Sequence, residues 1–377
     1  MARTRDVAIV GAGIVGCSIA FELAKAGMQV CVLERGGIGE ESSAAAAGML
    51  SGQHGVTDLG ARFRLHAEAR ELHARLADEL RELTGIDVGF CRWGLLELLF
   101  TAGEVRAADR CYAVQTQAGL RVERLNREET LALEPALAPD LQGSIRYPDE
   151  AHVHNGRLTV ALAEAACRSG AELHSGAPVL ALIRERERVV GVRTPTEAVY
   201  ADAVILASGA WSSDLMRPLG LVLPVKPMRG QMLALRTVPR AVSQIVYGRH
   251  MYLVPRPDGE TLLGATVEDV GFRKEVTLEG LEDLIQAGRR IAPGIMGQPV
   301  MRTWAGLRPG SPDGLPLVGA VEGLPGLLLA VGHHRNGILL GPMTGVLMRQ
   351  WLVDHVRSPH LDLLRPERLP LYGSVEG

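Results

Sequence analysis

The chain has 377 residues, 47% of them hydrophobic, which is enough material for two intertwined domains around a large buried core. Its formal net charge of −3 provides no basic surface for nucleic acid, and no apolar stretch reaches the roughly eighteen residues that span a bilayer. Composition and charge therefore exclude a nucleic-acid-binding protein and a membrane-spanning one, and they fit a globular enzyme.

The first segment is a strand, a glycine-rich turn, a helix and a second strand, with the sequence DVAIVGAGIVGCSIAFELAKAGMQVCVLE. The tight turn requires Gly11, close approach of the backbone to a pyrophosphate requires Gly13, and packing of the helix on the strand requires Gly16. Glu34, at the end of the second strand, is placed to accept hydrogen bonds from a ribose. An isolated GxGxxG would also fit an ordinary turn, but the complete unit predicts a dinucleotide-binding βαβ motif.

The residues that follow narrow the cofactor. An acid at the strand end disfavours a 2′-phosphate and therefore NADP, which leaves NAD and FAD. The next residues, GGIGEESSAAAAGML at 36–50, are small or hydroxylated and can pass close to a bulky ring system. The alanine run also fits a helix interior, because alanine is the best helix former, and the two interpretations do not conflict.

The middle of the chain alternates helical and strand-like patterns. Apolar spacing predicts a long amphipathic helix over residues 61–85, then a strand in FCRWGLLELLF and short polar helices and turns up to Pro148. From Gly156 the pattern predicts a helix and a strand that ends near Val179. Further strands lead to VILASGAW at 204–211.

From Leu221 the pattern becomes strand-like alternation, in VKPMRGQMLAL, MYLVPR and TLLGAT, which predicts the sheet of a substrate domain. A helix is expected over residues 278–291. The last part, GLLLAVGHHRNGILLGPMTGVLMRQWL, predicts a buried strand, a glycine-containing turn and a helix.

Five segments occur in the order found in one known family: SSAAAAGML, VILASGAW, MYLVPR, WAGLRPGSPDGLPLVG and GHHRNGILLGPMTG. On these the chain resembles the D-amino-acid oxidase family of flavoproteins, and within it the bacterial glycine oxidases of thiamine biosynthesis. The resemblance implies an α/β fold with a glutathione-reductase-like, Rossmann-type FAD-binding domain from residues 1–85, 149–220 and 305–377. Residues 86–148 and 221–304 would form an α+β substrate domain built on an antiparallel sheet.

The resemblance also implies FAD as the cofactor. No cysteine follows Cys167, so the covalent link that some relatives form near the C-terminal segment is excluded and the FAD would be non-covalent. Val179 would border the adenine, and the helix N-terminus at Gly337 would point at the flavin pyrimidine. The expected cofactor residues are Gly11, Ala12, Gly13, Ile14, Val15, Gly16, Glu34, Arg35, Ser42, Ser43, Ala46, Ala47, Gly48, Met49, Val179, Ser208, Gly209, Trp211, His334, Arg335, Asn336, Gly337, Ile338 and Leu339.

Three residues are expected to act on the substrate. The planar fork of Arg308 suits bidentate binding of an amino acid carboxylate, and Pro309 stiffens the turn beside it. Tyr252 would give a second carboxylate contact through its hydroxyl, although a core tyrosine is the alternative. Arg335 matches a family position near flavin and substrate, but it would also suit a salt bridge that stabilises the loop. Met49 and Met251 would form apolar walls, although methionine more often packs in a core.

By resemblance, the reaction is oxidative deamination of glycine, sarcosine and small D-amino acids, by hydride transfer from Cα to flavin N5. The products are an oxo acid, ammonia and, with molecular oxygen as acceptor, hydrogen peroxide. Val267 and His334 replace a methionine and an aromatic residue of the family pattern, which leaves the pocket size open. Three alternatives remain: a dehydrogenase that reduces a quinone or carrier, an inactive FAD-binding protein, and an NAD-dependent dehydrogenase. Homo-oligomerisation is left open.

Other functions find little support in the sequence. The pairs His152 with His154 and His333 with His334 lack the further carboxylate or thiolate of a zinc site, so no metal is expected. Ser208 lacks the GxSxG elbow of a serine hydrolase. Five scattered cysteines without a CxxC pair are typical of a reducing compartment. MARTRD runs directly into a core strand and SVEG is not a peroxisomal address, so a cytoplasmic protein is expected.

Overall fold

The computed structural model describes residues 5–370. Most of MARTRD and the terminal SVEG, on which the targeting predictions depend, lie outside the described residues. The strands are β1 (Arg5–Val10), β2 (Val30–Leu33), β3 (Met49–Leu50), β4 (Leu95–Leu99), β5 (Glu123–Leu125), β6 (Gly143–Tyr147), β7 (Ala151–His152), β8 (Glu172–His174), β9 (Ala181–Glu185), β10 (Arg188–Arg193), β11 (Ala198–Leu206), β12 (Lys226–Arg236), β13 (Ile245–Gly248), β14 (Met251–Pro255), β15 (Glu260–Gly264), β16 (Val300–Gly310), β17 (Leu317–Ala320) and β18 (Leu327–Val331). The helices are α1 (Ile14–Lys25), α2 (Ser42–Ala45), α3 (Ala61–Thr84), α4 (Ala102–Gln117), α5 (Arg127–Leu133), α6 (Asn155–Arg168), α7 (Ser212–Met216), α8 (Leu278–Ile291), α9 (Gly337–Leu352) and α10 (His360–Leu364).

The first sheet has the strand order β17-β18-β11-β1-β2-β8, with β10 and β9 added beside β11. Its central strands β18, β11, β1, β2 and β8 are parallel, and α1, α6, α9 and α3 pack together on one side of them. Val10 lies between Leu33 and Leu206 in register, so the carboxyl ends of three parallel strands meet at one edge. Ligands of open α/β sheets bind at such an edge.

The second sheet has the order β16-β12-β15-β14-β13-β4-β6-β5 and is antiparallel except for the pairing of β13 with β4. The two long strands β12 and β16 pair from Lys226 with Gly310 to Leu235 with Val300, and α8 packs against β12, β14 and β15. The parallel core with its helices and the antiparallel sheet agree with the predicted α/β fold. The domain boundaries remain a prediction, and β16 continues through the expected boundary between residues 304 and 305.

Several predicted elements are confirmed. The predicted helix over 61–85 is α3, which ends at Thr84 because Gly85 adopts a left-handed conformation with φ of 76°. The predicted helix over 278–291 is α8, which begins after the Thr277 cap. The alanine run forms only the single turn α2, after which the chain extends into β3.

Two expectations were wrong. The strand expected to end near Val179 is β8, which ends at His174 because a left-handed turn at Gly176, with φ of 71°, takes the chain out of the sheet. The region before Pro148 contains a sixteen-residue helix, α4, and not only short ones. A capping box between Thr101 and Glu104 starts α4, and this signal was present in the sequence.

No helix in residues 5–370 is long and apolar enough to cross a membrane.

Candidate active site

A cavity of about 670 Å³ extends from the glycine turn after β1 to the face of the second sheet. We call the part formed by the Gly11 turn, Glu34 and the start of α9 the cofactor end. The part formed by Tyr252, Arg308 and Arg335 is the substrate end. The cavity is lined by these predicted residues: Gly11, Gly13, Ile14, Val15, Glu34, Arg35, Ser42, Ser43, Ala46, Ala47, Gly48, Met49, Val179, Ser208, Gly209, Trp211, Tyr252, Arg308, His334, Arg335, Asn336, Gly337 and Ile338.

Three residues expected to contact the cofactor lie behind this lining. The Ala12 N–H donates to Glu34 Oε2 over 2.8 Å. A Cβ at Gly16 would lie 1.9 Å from the Gly11 carbonyl oxygen, so Gly16 serves the packing of α1 on β1. Leu339 is buried, and its carbonyl oxygen lies 3.1 Å from His73 Nε2. These three residues support the cavity without lining it.

The N-terminus of α1 opens into the cofactor end. Gly11 has φ of 106°, and a Cβ there would lie 2.7 Å from the Ala207 carbonyl oxygen, so only glycine fits this turn. The N-cap Gly13 has no side chain to cap the helix, and no acid lies in the first turn of α1. Ser43 Oγ accepts the Ile14 N–H over 2.9 Å. The remaining N–H groups of this turn and the helix dipole make this end suitable for an anion.

A second helix N-terminus reaches the same cavity. A 3₁₀ turn over His334–Asn336 leads into α9, whose N-cap Asn336 makes no side-chain capping bond. No acid lies in the first turn of α9, and Gly337 and Ile338 line the cavity. Two helix dipoles therefore give the cavity partial positive charge at separate places.

Glu34 is held in place by backbone donors. Its Oε2 accepts the Ala12 N–H over 2.8 Å and its Oε1 accepts the Gly36 N–H over 2.9 Å. Each carboxylate oxygen keeps a second lone pair, so Glu34 can still accept from hydroxyls in the cavity. Beside it, the Arg35 guanidinium lies 3.8 Å from the centre of the Trp211 ring, which gives a rigid flat wall.

Arg308 enters the substrate end from β16. Its side chain crosses Gly230 of β12, where a Cβ would lie 2.3 Å from Nη2, so only glycine leaves room for it. Nη1 donates to the Thr266 carbonyl oxygen over 3.0 Å. Burial, aided by the charge of Arg335, lowers the pKa of Arg308 below its ordinary value. A guanidinium remains charged under such a shift.

Tyr252 faces the same space from β14. Its hydroxyl donates to Met232 Sδ over 3.4 Å, a weak acceptor that a better ligand would replace. Burial raises the pKa of Tyr252, and the charges of Arg308 and Arg335 act in the opposite direction. The phenol is therefore protonated at neutral pH and able to donate. These interactions also show that the structure brings Tyr252, Arg308 and Arg335 together.

The remaining substrate predictions have mixed outcomes. Arg335 is exposed at the cavity wall, and the ion pairs found among residues 5–370 do not include it. Met49 lines the cavity, but Met251 packs against the core under the second sheet and does not form a wall. Val267 also lies outside the lining and is half exposed.

Sequence reasoning missed several lining residues, among them His54, Arg62, His66, Tyr247 and His250. One signal was available for Tyr247, because a hairpin through YGRHMY places it opposite Tyr252, as the register of β13 and β14 shows. No local motif marks His54, which lies in an irregular turn after β3.

The histidines near the cofactor end are neutral. Burial lowers the pKa of His333 to about 3, and its Nε2 lies 3.0 Å from Thr344 Oγ1. Burial and the two arginines lower the pKa of His334 to about 4, and burial with Arg62 lowers that of His66 to about 4. None of the three adds positive charge to the cavity at neutral pH.

A sequence model of the family described as FAD dependent oxidoreductase matches residues 6–351. The chain belongs to this DAO family of FAD-dependent oxidoreductases. The predicted family and fold class are therefore confirmed, and FAD is the cofactor.

Similar proteins cover almost the whole chain. The glycine oxidase of Geobacillus kaustophilus (strain HTA426) is 36% identical over 350 residues, covering 92% of this chain and 93% of that protein. A crystal structure of glycine oxidase from Geobacillus kaustophilus matches with a TM-score of 0.90, covering 95% and 96% of the two chains. The structure of iminodiacetate oxidase (IdaA) from Chelativorans sp. BNC1 matches with a TM-score of 0.87 at 28% identity, covering 96% and 98%.

A longer relative is the bifunctional protein ThiO/ThiG of Nostoc sp. (strain PCC 7120 / SAG 25.82 / UTEX 2576). It is 36% identical over 366 residues, which cover 95% of this chain and 54% of that protein. The chain thus spans about half the length of this relative.

The cofactor end of this DAO-family chain fits FAD. Two helix N-termini, whose N-cap residues make no side-chain capping bond, suit the anionic pyrophosphate and an electron-rich ring, and the glycine cradle leaves room for a close backbone approach. Glu34 suits a ribose, while the Arg35–Trp211 pair and Val179 suit a flat base. On the basis of this fit, we propose that these residues contact the pyrophosphate, ribose and ring systems of FAD.

One group among the described residues has the spacing of metal ligands. Cys31, Glu172 and His174 have ligand atoms within 4.8 Å of one another, outside the cavity. Arg5 Nη2 already pairs with Glu172 over 2.5 Å, and burial raises the pKa of the Cys31 thiol to about 11. In the described part of the chain, the two histidine pairs singled out in the sequence do not belong to any such group.

Proposed function

We propose that the protein is an amino-acid oxidase of the glycine oxidase type. It would oxidise the Cα–N bond of glycine, sarcosine and small D-amino acids to an imine, which water hydrolyses to an oxo acid and ammonia, or methylamine in the case of sarcosine. The observation that carries this proposal is the meeting of Arg308 and Tyr252 in the cavity that also holds the cofactor end. The names of the glycine oxidases similar to this chain support the same assignment.

Arg308 and Tyr252 would bind and orient the substrate. The guanidinium fork takes both carboxylate oxygens, and the phenol donates a third hydrogen bond to the same group. Three hydrogen bonds to the carboxylate leave Cα little freedom to move, so the Cα–H bond keeps one orientation toward the cofactor. FAD, when bound, supplies the acceptor for the hydride that leaves Cα, and oxygen would then take the electrons to give hydrogen peroxide.

The cavity would also favour the reactive, uncharged amine. Arg308 and Arg335 place positive charge near the bound substrate, and like charge lowers the pKa of a nearby ammonium group. Among the described residues, the carboxylates that line the cavity are Glu34, Glu40, Glu41 and Asp214, which belong to the cofactor segments. The ammonium proton is therefore expected to leave to solvent as the substrate binds.

We further propose molecular oxygen as the electron acceptor and a cytoplasmic location. The place in thiamine biosynthesis that the resemblance implies remains a prediction, and homo-oligomerisation remains open.

Anaerobic reduction of the flavin tests this function. Glycine, sarcosine, D-alanine and D-proline are added separately to the purified holoenzyme without oxygen, and the flavin absorbance is followed. Bleaching by glycine or sarcosine, followed by peroxide when air is readmitted, is the expected result. Bleaching without peroxide would instead identify a dehydrogenase that reduces a quinone or carrier. A flavin that dithionite bleaches but none of the amines does would contradict amine oxidation.

A further inference from the structure

A histidine and a glutamate stand together at the wall of the substrate end. His54 lines the cavity, and its Nε2 lies 3.6 Å from Oε1 of Glu97 on β4. Glu97 itself does not line the cavity and so stands behind the imidazole. Neither residue has a part in the proposed binding of the α-carboxylate.

Glu97 is held as a carboxylate. The Tyr147 hydroxyl donates to Glu97 Oε2 over 2.9 Å. Burial acts to raise the pKa of Glu97, but the neighbouring His54 imidazole and the hydrogen bond from Tyr147 outweigh it, so this pKa lies below its ordinary value. Burial and the negative Glu97 raise the pKa of Tyr147, which keeps this phenol a donor. The carboxylate therefore presents a fixed negative charge to the buried edge of His54.

The position of His54 is fixed from two sides. Its backbone N–H donates to Oε1 of the buried Glu150 over 2.9 Å. Its ring packs at 4.4 Å between centroids on the tilted ring of Tyr247 and edge-on at 5.8 Å to Tyr147. Because Nε2 is buried on the Glu97 side, Nδ1, on the other side of the ring, is left for a ligand in the cavity. Such prior ordering reduces the entropy cost of binding.

The surroundings select an anion for that ligand. The arginines that line the cavity in the described part of the chain are Arg35, Arg62, Arg308 and Arg335, while the lining carboxylates belong to the cofactor segments. An N–H at Nδ1 would donate to an acidic group of a ligand, while Nε2 stays on the Glu97 side of the ring. Tyr247 pairs with Tyr252 across β13 and β14, and the His54 ring packs on Tyr247. His54 is therefore separated from the α-carboxylate anchor Tyr252 by the ring of Tyr247.

We propose that His54, positioned by Glu97, is a specificity-determining residue that binds a second acidic group of the substrate. The inference rests on the proposed amino-acid oxidase function and deepens it. The preferred substrates are amines with two acidic groups, one held by Arg308 and Tyr252 and the other by His54. Glycine and sarcosine leave the His54 position empty.

Matched pairs of acids and amides test this inference in the holoenzyme. D-Aspartate is compared with D-asparagine and D-glutamate with D-glutamine, since each pair differs only in the distal charge. We expect kcat/KM to be roughly 10-fold or more higher for one acid than for its amide, as for a charge-assisted hydrogen bond. His54→Ala should bring that ratio close to one, and Glu97→Gln should lower it in part. His360→Ala, which breaks a surface pair with Glu68 at 2.9 Å, is the matched control and should keep the wild-type ratio.

A binding measurement separates this inference from the proposed function. Malonate, succinate and acetate are titrated into the oxidised holoenzyme, and the change in flavin absorbance gives each Kd. A dicarboxylate that binds at least about 10-fold more tightly than acetate, and loses this advantage in His54→Asn, supports the subsite even if no amine is oxidised. Oxidation of glycine or D-alanine, together with equal kcat/KM for acids and amides and equal Kd for mono- and dicarboxylates, overturns the subsite and leaves the proposed function standing.

Discussion

The two ends of the cavity are built in different ways. The cofactor end consists largely of backbone: the turn at Gly11, the N-termini of α1 and α9, and the amides that hold Glu34. The substrate end consists of side chains, such as Arg308 and His54, that come from different strands and an irregular turn. Backbone groups suit the FAD of the family, whereas side chains can change without disturbing the fold. The cofactor end therefore specifies the kind of reaction and the substrate end the molecule that undergoes it.

The largest effect is expected from closing the cofactor end. A Cβ at Gly13 would lie 3.2 Å from Ser43 Oγ, so the longer side chain of Gly13→Leu would fill the space over the α1 N-terminus. We expect the purified variant to carry almost no FAD, measured as flavin absorbance per protein. Gly297→Ala is the control, because a Cβ at Gly297 meets nothing within 4 Å. Full FAD content in Gly13→Leu would show that the pyrophosphate binds elsewhere.

A change at the substrate end should separate turnover from cofactor binding. In Arg308→Lys a point charge replaces the fork, so kcat/KM for sarcosine should fall roughly 100-fold or more while the FAD content stays constant. Arg302→Lys is the matched control. Arg302 lies on the same strand, its Nη2 is 2.8 Å from Glu260 Oε1, and neither residue lines the cavity. Equal kcat/KM in Arg308→Lys and wild type would remove Arg308 from the carboxylate site.

Acid should weaken the cofactor end through His73. This buried side chain joins α3 to the Leu339 carbonyl oxygen in the first turn of α9, and burial lowers its pKa to about 4. The folded protein binds fewer protons at this site than the unfolded chain, so stability is lost as pH falls from about 6.5 towards 4, by up to about 3 kcal/mol. The Tm of His73→Gln should fall less over this range than that of wild type. If Tm falls equally with pH in the two proteins, His73 is not the cause of the acid sensitivity. His360→Ala serves as the surface control.

The smallest effect is expected for the phenol. Tyr252→Phe removes one of three proposed hydrogen bonds to the carboxylate and leaves the ring in place, so kcat/KM should fall by roughly 10-fold. The loss should be similar for glycine and D-alanine, because both share the carboxylate. A loss confined to one of these substrates would place Tyr252 at the side-chain pocket and not at the anchor.

The contrast between the two ends also explains what the sequence revealed. Gly11, Gly13 and Glu34 are close in sequence, and their spacing follows from one local βαβ unit. The residues of the cofactor end could therefore be predicted from the sequence. Helices α3 and α8 carry clear periodicity and caps, and they begin where expected. These features depend on short-range rules that the residues themselves display.

Long-range register decides the rest. Arg308 was found by resemblance, since nothing local shows that β16 pairs with β12 at Gly230 and passes its guanidinium over that glycine. His54 meets Glu97 only because the turn after β3 lies against β4, a contact between residues that are distant in sequence. Of the two alternatives for Met251, the core position is the one found, because neighbouring residues on a strand face opposite sides of the sheet.

The most direct test of the two-end account measures both ends in one variant. For wild type and Arg308→Ala, the Kd of FAD is determined from flavin fluorescence, and the Kd of acetate from the change it causes in flavin absorbance. The account predicts that Arg308→Ala keeps the FAD affinity of wild type and weakens acetate binding roughly 100-fold or more. Unchanged acetate binding, or loss of FAD together with acetate, would contradict the separation of the two ends.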